Sequence, residues 1–364
     1  MPDSHPHQTS AKTDEVLLER SGGLGVITLN RPKALNTLTL GMYRTLDPEL
    51  VAWGSDPSVH AVLIRGAGER AFCAGGDVRA IYEAGRGKTE GLTADFFREE
   101  YCLIERVYRF PKPYIALLDG ITMGGGAGVS VHGSHRIATE RFVFAMPETA
   151  IGLFPDIGGT AFLNRCPGCI GRYLALTGAR IKAADAVYCR LATHYVPRER
   201  LAALTDALAA MAWRAGEERR QVDRLIDDFA RPVGPAPLAD LLPAIDRCFA
   251  PETVEGIIAA LEAEAGEWAR AALASLAKAS PTSLKITLRQ LQLGAGFDVA
   301  QALQLEYRMT QHVMQRHDFF EGVRAVLVDK DQAPNWLPAN LAAVSEDEVA
   351  FYFRPIGERE LQFT

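Results

Sequence analysis

Two proline–acid pairs, Pro147-Glu148 and Pro155-Asp156, stand eight residues apart, with Phe144, Met146, Ile151, Leu153 and Phe154 around them. Burial disfavours a charged carboxylate and raises its pKa, which suits an acid to proton transfer or nucleophilic attack. A plainer reading stands beside this one. Proline at the first helical position and an acid in the first turn are what helix ends favour anyway.

Two glycine turns carry a second kind of chemistry. A buried strand ending near Asp119 is followed by Gly124-Gly125-Gly126 and a helix start. Another runs into Phe72-Cys73-Ala74-Gly75-Gly76-Asp77 and a helix from Val78. Backbone N–H groups at a helix N-terminus lack internal partners and can hold an anion or a developing oxyanion. Two such turns on neighbouring strands offer one N–H each to a single oxygen, as acyl transfer requires. One donor of this kind is worth ~2.7–4 kcal/mol in the transition state. The alternative is close helix–strand packing at Gly124–Gly126, with Asp77 as an N-cap.

Several other chemistries are excluded. Neither glycine turn forms a G-x-G-x-x-G fingerprint or a P-loop, and no G-x-S-x-G elbow occurs. Cys166-Pro167-Gly168-Cys169 has no second Cys or His pair, so it reads as a turn between helices, and no metal is expected. Glu99 and Glu100 fall on a helical pattern whose default is a solvated face. His132 and His135 sit at a helix end and read as partners of its dipole.

The elements that must position these groups follow from periodicity. Segments 16–20 and 24–29 flank Ser21-Gly22-Gly23 as a hairpin, and a helix follows from Thr39 to Trp53. Buried strands are expected at 61–65 and 113–118, shorter ones at 136–139 and 142–144, and an amphipathic helix over 92–110. A polar, glycine-punctuated break falls at 85–91. Strand, loop and helix thus alternate to about residue 145, which is an α/β pattern; beyond it the chain reads as helical. The expected organisation is a leader over 1–13, an α/β core over 14–195 and a helical region over 196–364 that packs back on the core. Arg231-Pro-Val-Gly-Pro-Ala-Pro237 reads as a long loop within the last.

Composition limits the partners. The formal net charge of -6 argues against a nucleic-acid surface, which needs a basic excess. No run approaches ~18 apolar residues, so no membrane span is expected. The first dozen residues carry neither a signal peptide nor an Arg-rich transit pattern. Six scattered cysteines suit reduced thiols, and a cytoplasmic location is expected.

Taken together, Asn30-Arg31-Pro32-Lys33-Ala34-Leu35-Asn36, Ala71-Phe72-Cys73-Ala74-Gly75-Gly76-Asp77-Val78 and Gly124-Gly125-Gly126 resemble, in order and spacing, the crotonase (enoyl-CoA hydratase/isomerase) superfamily. Residues 146–159 and 317–336 resemble its 3-hydroxyisobutyryl-CoA hydrolase branch, and the likeness spans roughly residues 16 to 336. In 317–336, Asp318 and Glu321 also read as a capping box. The resemblance implies a spiral of β-β-α units with a helical C-terminal region. It implies an acyl-CoA substrate bent across Lys33, Ala34, Leu35, Ala74, Gly76, Asp77, Val78 and Arg79, CoA being part of the substrate and no separate cofactor being required. The N–H groups of Gly76 and Gly125, with Gly124 beside them, would hold the thioester oxygen. Glu148 matches the family's catalytic glutamate, and Asp156 and Glu100 match acids that contact the hydroxyacyl group. The superfamily often forms trimers and hexamers, so a homo-oligomer is compatible with the resemblance, although the extra C-terminal helices compete for the same surface.

One departure separates the chemistries. Hydratases grip a water between two carboxylates, the second placed three residues after the second oxyanion-hole position. That position here is Gly128. The expected reaction is therefore hydrolysis of a short 3-hydroxyacyl-CoA, with 3-hydroxyisobutyryl-CoA of valine catabolism foremost. Glu148 either attacks the carbonyl or activates a water. Water addition or isomerisation, and a non-catalytic CoA-binding scaffold, are the alternatives.

Overall fold

The computed structural model describes residues 14–87 and 91–363. The leader expected at 1–13, and residues 88–90 of the break expected at 85–91, lie outside them. The hairpin forms from β1 (Val16–Ser21) and β2 (Leu24–Leu29), paired antiparallel with Ser21 opposite Leu24. Gly22 turns it with φ +58, a conformation glycine adopts without penalty. Helix α1 (Leu40–Ser55) starts where Thr39 accepts the Met42 N–H at 3.2 Å as its N-cap.

From there each turn of chain lays one strand in each of two sheets. The strands β3 (Ala61–Gly66) and β4 (Ala71–Cys73) come first. Helices α2 (Val78–Gly87) and α3 (Leu92–Tyr108) lead to β5 (Tyr114–Leu118) and β6 (Ile121–Met123). Helix α4 (Gly125–Val131) leads to β7 (His135–Ala138) and β8 (Val143–Ala145). A six-stranded sheet runs β1-β2-β3-β5-β7-β9, with β9 (His194–Tyr195) at its edge, and a three-stranded sheet runs β4-β6-β8. The pairings between these strands after the hairpin are parallel. This is the expected spiral. The strand β9 was not anticipated, because a two-residue pairing carries no periodic signal.

The central strands read as unbroken apolar runs because both faces are covered. Leu24, Val26, Ala61, Leu63, Ile115 and Leu117 meet Leu204 and Leu208 of helix Leu201–Ala209 and Val222 and Ile226 of helix Glu218–Phe229. The alternate residues Ile27, Leu29, Val62, Ile64, Ala116 and Leu118 join the larger core on the opposite face. The later helices close over that larger core. Helix Pro237–Phe249 follows the 231–236 loop and packs on helix Ile170–Thr177, with the Tyr173 and Phe249 rings 5.4 Å apart. Cys166 and Cys169 occupy the turn before that helix as free thiols. Among the described residues no helix is long and apolar enough to cross a membrane.

Two local expectations are corrected by tertiary packing. Asp318 and Glu321 do not form a capping box. The Asp318 carboxylate accepts the Ser280 hydroxyl at 2.5 Å and the Leu337 N–H at 2.8 Å, while Glu321 grips Arg324 and the Asn335 N–H. Nor do His132 and His135 serve as charged dipole partners. His132 Nε2 donates to the Ile157 carbonyl at 2.7 Å, and burial lowers its pKa to about 4, so the ring is neutral. His135 lies within β7, buried, and contacts Asp223 at 2.9 Å.

Candidate active site

All three strands of the smaller sheet are parallel, so their carboxyl ends lie side by side. Past β4 comes Gly75-Gly76, past β6 comes Gly124-Gly125, and past β8 comes Pro147-Glu148. Helix α3 lies across that end and contributes Glu100 and Tyr101. Residues brought together from positions 74 to 327 thus line one cavity of about 220 Å³. Gly75, Gly76, Gly124, Gly125, Glu100, Glu148 and Asp156 all face it, with Phe96, Phe97, Leu153, Val326 and Leu327 as apolar walls.

Gly76 and Gly125 present the paired N–H groups that the sequence suggested. Neither donates a hydrogen bond to another group among the described residues. A Cβ placed on Gly125 would stand 2.6 Å from Glu100 Oε1 and 3.1 Å from the Gly76 nitrogen, so a side chain there would fill the space between the donors. Gly126 differs. Its Cβ would meet the Cys73 carbonyl at 2.2 Å, so the plainer packing explanation holds for that glycine. Gly128 is buried against Ile104 and Ile157, with 2.7 Å from its would-be Cβ to Ile104 Cδ1, and it brings no carboxylate to the site.

The three acids share the buried end of the cavity. Glu148 opens the one-turn helix Glu148–Ile151, and its Oε2 is buried with no hydrogen-bond partner among the described residues. Burial raises its pKa well above the usual carboxylate range, reinforced by the charges of Asp156 and Glu100. Asp156 accepts the Tyr101 hydroxyl at 2.6 Å. Its pKa is raised to about 6, again by burial, against the lowering effect of that hydrogen bond. Glu100 accepts the Tyr43 hydroxyl at 2.5 Å and is likewise raised by burial and by Asp156. Glu100 is therefore no solvated helix residue; its neighbour Glu99 takes that role and pairs with Arg44 at 2.7 Å.

The other predicted positions divide. Ala74 and Val78 line the cavity. Lys33, Ala34 and Leu35 form the turn beside it, the Leu35 carbonyl accepting the Ala74 N–H at 3.0 Å, and Lys33 is exposed. Asp77 caps α2 through the Ala80 N–H at 3.3 Å and pairs with Arg31 at 3.2 Å, away from the cavity. Arg79 is held on its own helix by Glu83 at 3.1 Å.

Other residues of the site had no signal in the sequence. Tyr43 and Tyr101 are hydroxyl donors placed by α1 and α3. The turn carrying Asp156 is unusual: Ile157 has φ +57, a left-handed conformation that costs a β-branched residue on the order of 1–3 kcal/mol. Among the described residues no cluster of three or more His, Cys, Asp or Glu is arranged to hold a metal. The constellation suits acyl transfer: among the described residues it joins two N–H donors without a partner, a buried carboxylate with one unpartnered oxygen beside them, and further acids within the same pocket.

Comparison with known proteins agrees with this chemistry. The Enoyl-CoA hydratase/isomerase family matches residues 24–353. The chain is 49% identical to the mitochondrial 3-hydroxyisobutyryl-CoA hydrolase of Bos taurus, over 96% of this chain and 91% of that protein. It is 48% identical to the Homo sapiens protein of the same name, over 99% and 94%. Among solved structures, a carnitinyl-CoA dehydratase from Mycobacterium thermoresistibile superposes with a TM-score of 0.90 at 42% identity, covering 96% of this chain and 99% of that one. An enoyl-CoA hydratase from Rhodobacter sphaeroides 2.4.1 gives 0.87 at 40% identity, covering 96% and 100%. The hydrolase relatives are named mitochondrial, which overturns the expected cytoplasmic location. Scattered thiols mark a reducing compartment and do not distinguish one such compartment from another.

Proposed function

This chain belongs to the enoyl-CoA hydratase/isomerase family, and we propose that it is an acyl-CoA thioester hydrolase acting on a short 3-hydroxyacyl-CoA, 3-hydroxyisobutyryl-CoA foremost. Such a reaction releases the free hydroxy acid and CoA, a step that fits valine breakdown. The observation that carries this choice over water addition is Gly128. Hydration needs a second carboxylate on the water, and that position is a glycine, packed against Ile104 and Ile157, with no side chain to supply one. The dehydratase and hydratase names of the two solved relatives describe those proteins and do not supply the missing group.

In the proposed mechanism the thioester carbonyl sits between the Gly76 and Gly125 N–H groups. Those donors stabilise the negative charge that develops on its oxygen. Glu148, whose Oε2 has no partner among the described residues, acts in its ionised form. It attacks the carbonyl carbon to give a mixed anhydride that a water then hydrolyses, or it takes the proton of a water that attacks. On either route the C–S bond breaks and CoA leaves as the thiolate, which takes up a proton. Asp156 receives the substrate's 3-hydroxyl, and Glu100 completes that polar end. The apolar walls from Phe96, Phe97, Val326 and Leu327 limit the acyl group to a small one. CoA leaves across Ala74, Val78 and the 32–35 turn, with Lys33 available to its phosphates.

Thiol release measured across a panel of acyl-CoAs tests the reading. Saturated short 3-hydroxyacyl-CoAs are expected to release CoA fastest. Loss of conjugated absorbance from enoyl-CoAs without any thiol release would replace the hydrolase by a hydratase, and no turnover of any thioester would leave a binding scaffold.

A further inference from the structure

The Asp156 turn is held from the C-terminal helices by a buried carboxylate that does not face the cavity. Glu306, on helix Val299–Val313, is fully buried. Its Oε2 accepts the Gly158 N–H at 2.6 Å, and its Oε1 accepts the Thr160 N–H at 2.8 Å and the Thr160 hydroxyl at 2.7 Å. Gln290, on helix Pro281–Leu293, donates to the Pro155 carbonyl and to Thr160 Oγ1, both at 2.7 Å. His132 fixes the Ile157 carbonyl between them. Residues 155, 157, 158 and 160 are thereby clamped on both sides of Asp156.

The clamp explains why the left-handed backbone of Ile157 persists. A free chain would relax Ile157 toward negative φ, and Asp156 would swing out of line with Tyr101. Local sequence does not impose this conformation; the hydrogen bonds to Glu306 and Gln290 do. Buried polar groups that are fully satisfied lock a single geometry, whereas losing one acceptor leaves a costly orphan donor.

We infer that Glu306 is a positioning residue for catalysis: its carboxylate, some 150 positions away in sequence, holds the Asp156 turn so that Asp156 meets the substrate's 3-hydroxyl. This rests on the proposed role of Asp156. Glu306 itself touches no substrate. Discrimination between a 3-hydroxyacyl-CoA and the same acyl-CoA without the hydroxyl therefore depends on both residues acting in series.

The experiment measures kcat/KM for 3-hydroxyisobutyryl-CoA and for isobutyryl-CoA in the wild type, Asp156→Asn, Glu306→Gln and the double variant. In Glu306→Gln, whichever way the amide turns, its NH2 faces an N–H of Gly158 or Thr160, so one clamp bond is lost with the volume kept. The ratio of the two kcat/KM values should fall by about 10-fold or more, because misplacement of a positioned group by about 1 Å can cost on the order of 100-fold. The double variant should be no worse in this ratio than Asp156→Asn alone. If Asp156→Asn lowers the ratio and a folded Glu306→Gln does not, the inference is wrong and the role of Asp156 stands. If Asp156→Asn leaves the ratio unchanged, both fall. Should Glu306→Gln fail to fold, Thr160→Val removes one hydroxyl from the clamp; a smaller fall in the ratio supports the inference, and an unchanged ratio overturns it.

Discussion

The ends of the three-stranded sheet and the C-terminal helices face each other across the same turns but serve them differently. The sheet delivers its groups through backbone: strand ends fix Gly76 and Gly125 and carry the chain into Glu148. The helices deliver buried carboxylates that hold turns without entering the polar end of the cavity. Glu306 holds the Asp156 turn. Asp318 holds Ser280, whose N–H donates to the Thr149 carbonyl of the Glu148 turn at 3.0 Å. Gly152 and Gly322 let helix His317–Val323 approach that turn so closely that a Cβ on either would strike backbone atoms at 2.2–2.4 Å. Parallel strands can aim several groups at one point, but turns beyond their ends need an outside hold to stay there.

The comparison predicts different losses on the two sides. The largest belongs to the sheet side: Glu148→Gln should lower thiol release by on the order of 10²–10⁴-fold with an unchanged melting temperature, since it removes the ionisable group and keeps its shape. Substantial turnover by that variant would move the chemistry elsewhere. On the helix side, Ser280→Ala leaves the buried Asp318 short of a donor and should lower stability by about 1–3 kcal/mol in denaturant unfolding, with a much smaller effect on kcat. A loss of kcat as large as that of Glu148→Gln would erase the distinction between the two regions.

The smallest effect concerns charge within the cavity. The acidic limb of kcat/KM should report Glu148, raised by burial first and by Asp156 second. Asp156 has a pKa of about 6, so its charge acts on Glu148 mainly above that pH. Asp156→Asn removes a contribution that raises Glu148, and the limb should move to lower pH. A limb that stays in place or moves upward would show that the two acids do not interact.

Much of the site was legible because its signals are local. Glycine pairs after buried strands and the proline–acid pairs are read within a few residues, whereas the missing side chain at Gly128 has meaning only through the family resemblance. Each had a plain alternative, and the structure divides them: packing explains Gly126, capping explains Asp77, and an open cavity faces Gly125 and Glu148. Asp318 and Glu321 misled because a capping-box pattern says nothing of Ser280 or Asn335, which compete for the same oxygens from far along the chain. The histidines misled for the same reason. His132 loses its charge through burial against residues that its own helix does not contain.

The sequence by itself determined an α/β alternation to about residue 145, and its resemblance to a known family implied the spiral. It also carried the resemblance to the family and offered Glu148, Asp156 and Glu100 as candidate acids. Only the tertiary structure decided which acid keeps an unpartnered oxygen among the described residues, which two are held by tyrosines and that Glu306 binds the Asp156 turn. Those outcomes depend on desolvation and on hydrogen-bond partners 55 to 148 positions apart, and neither quantity is written in any local stretch of chain.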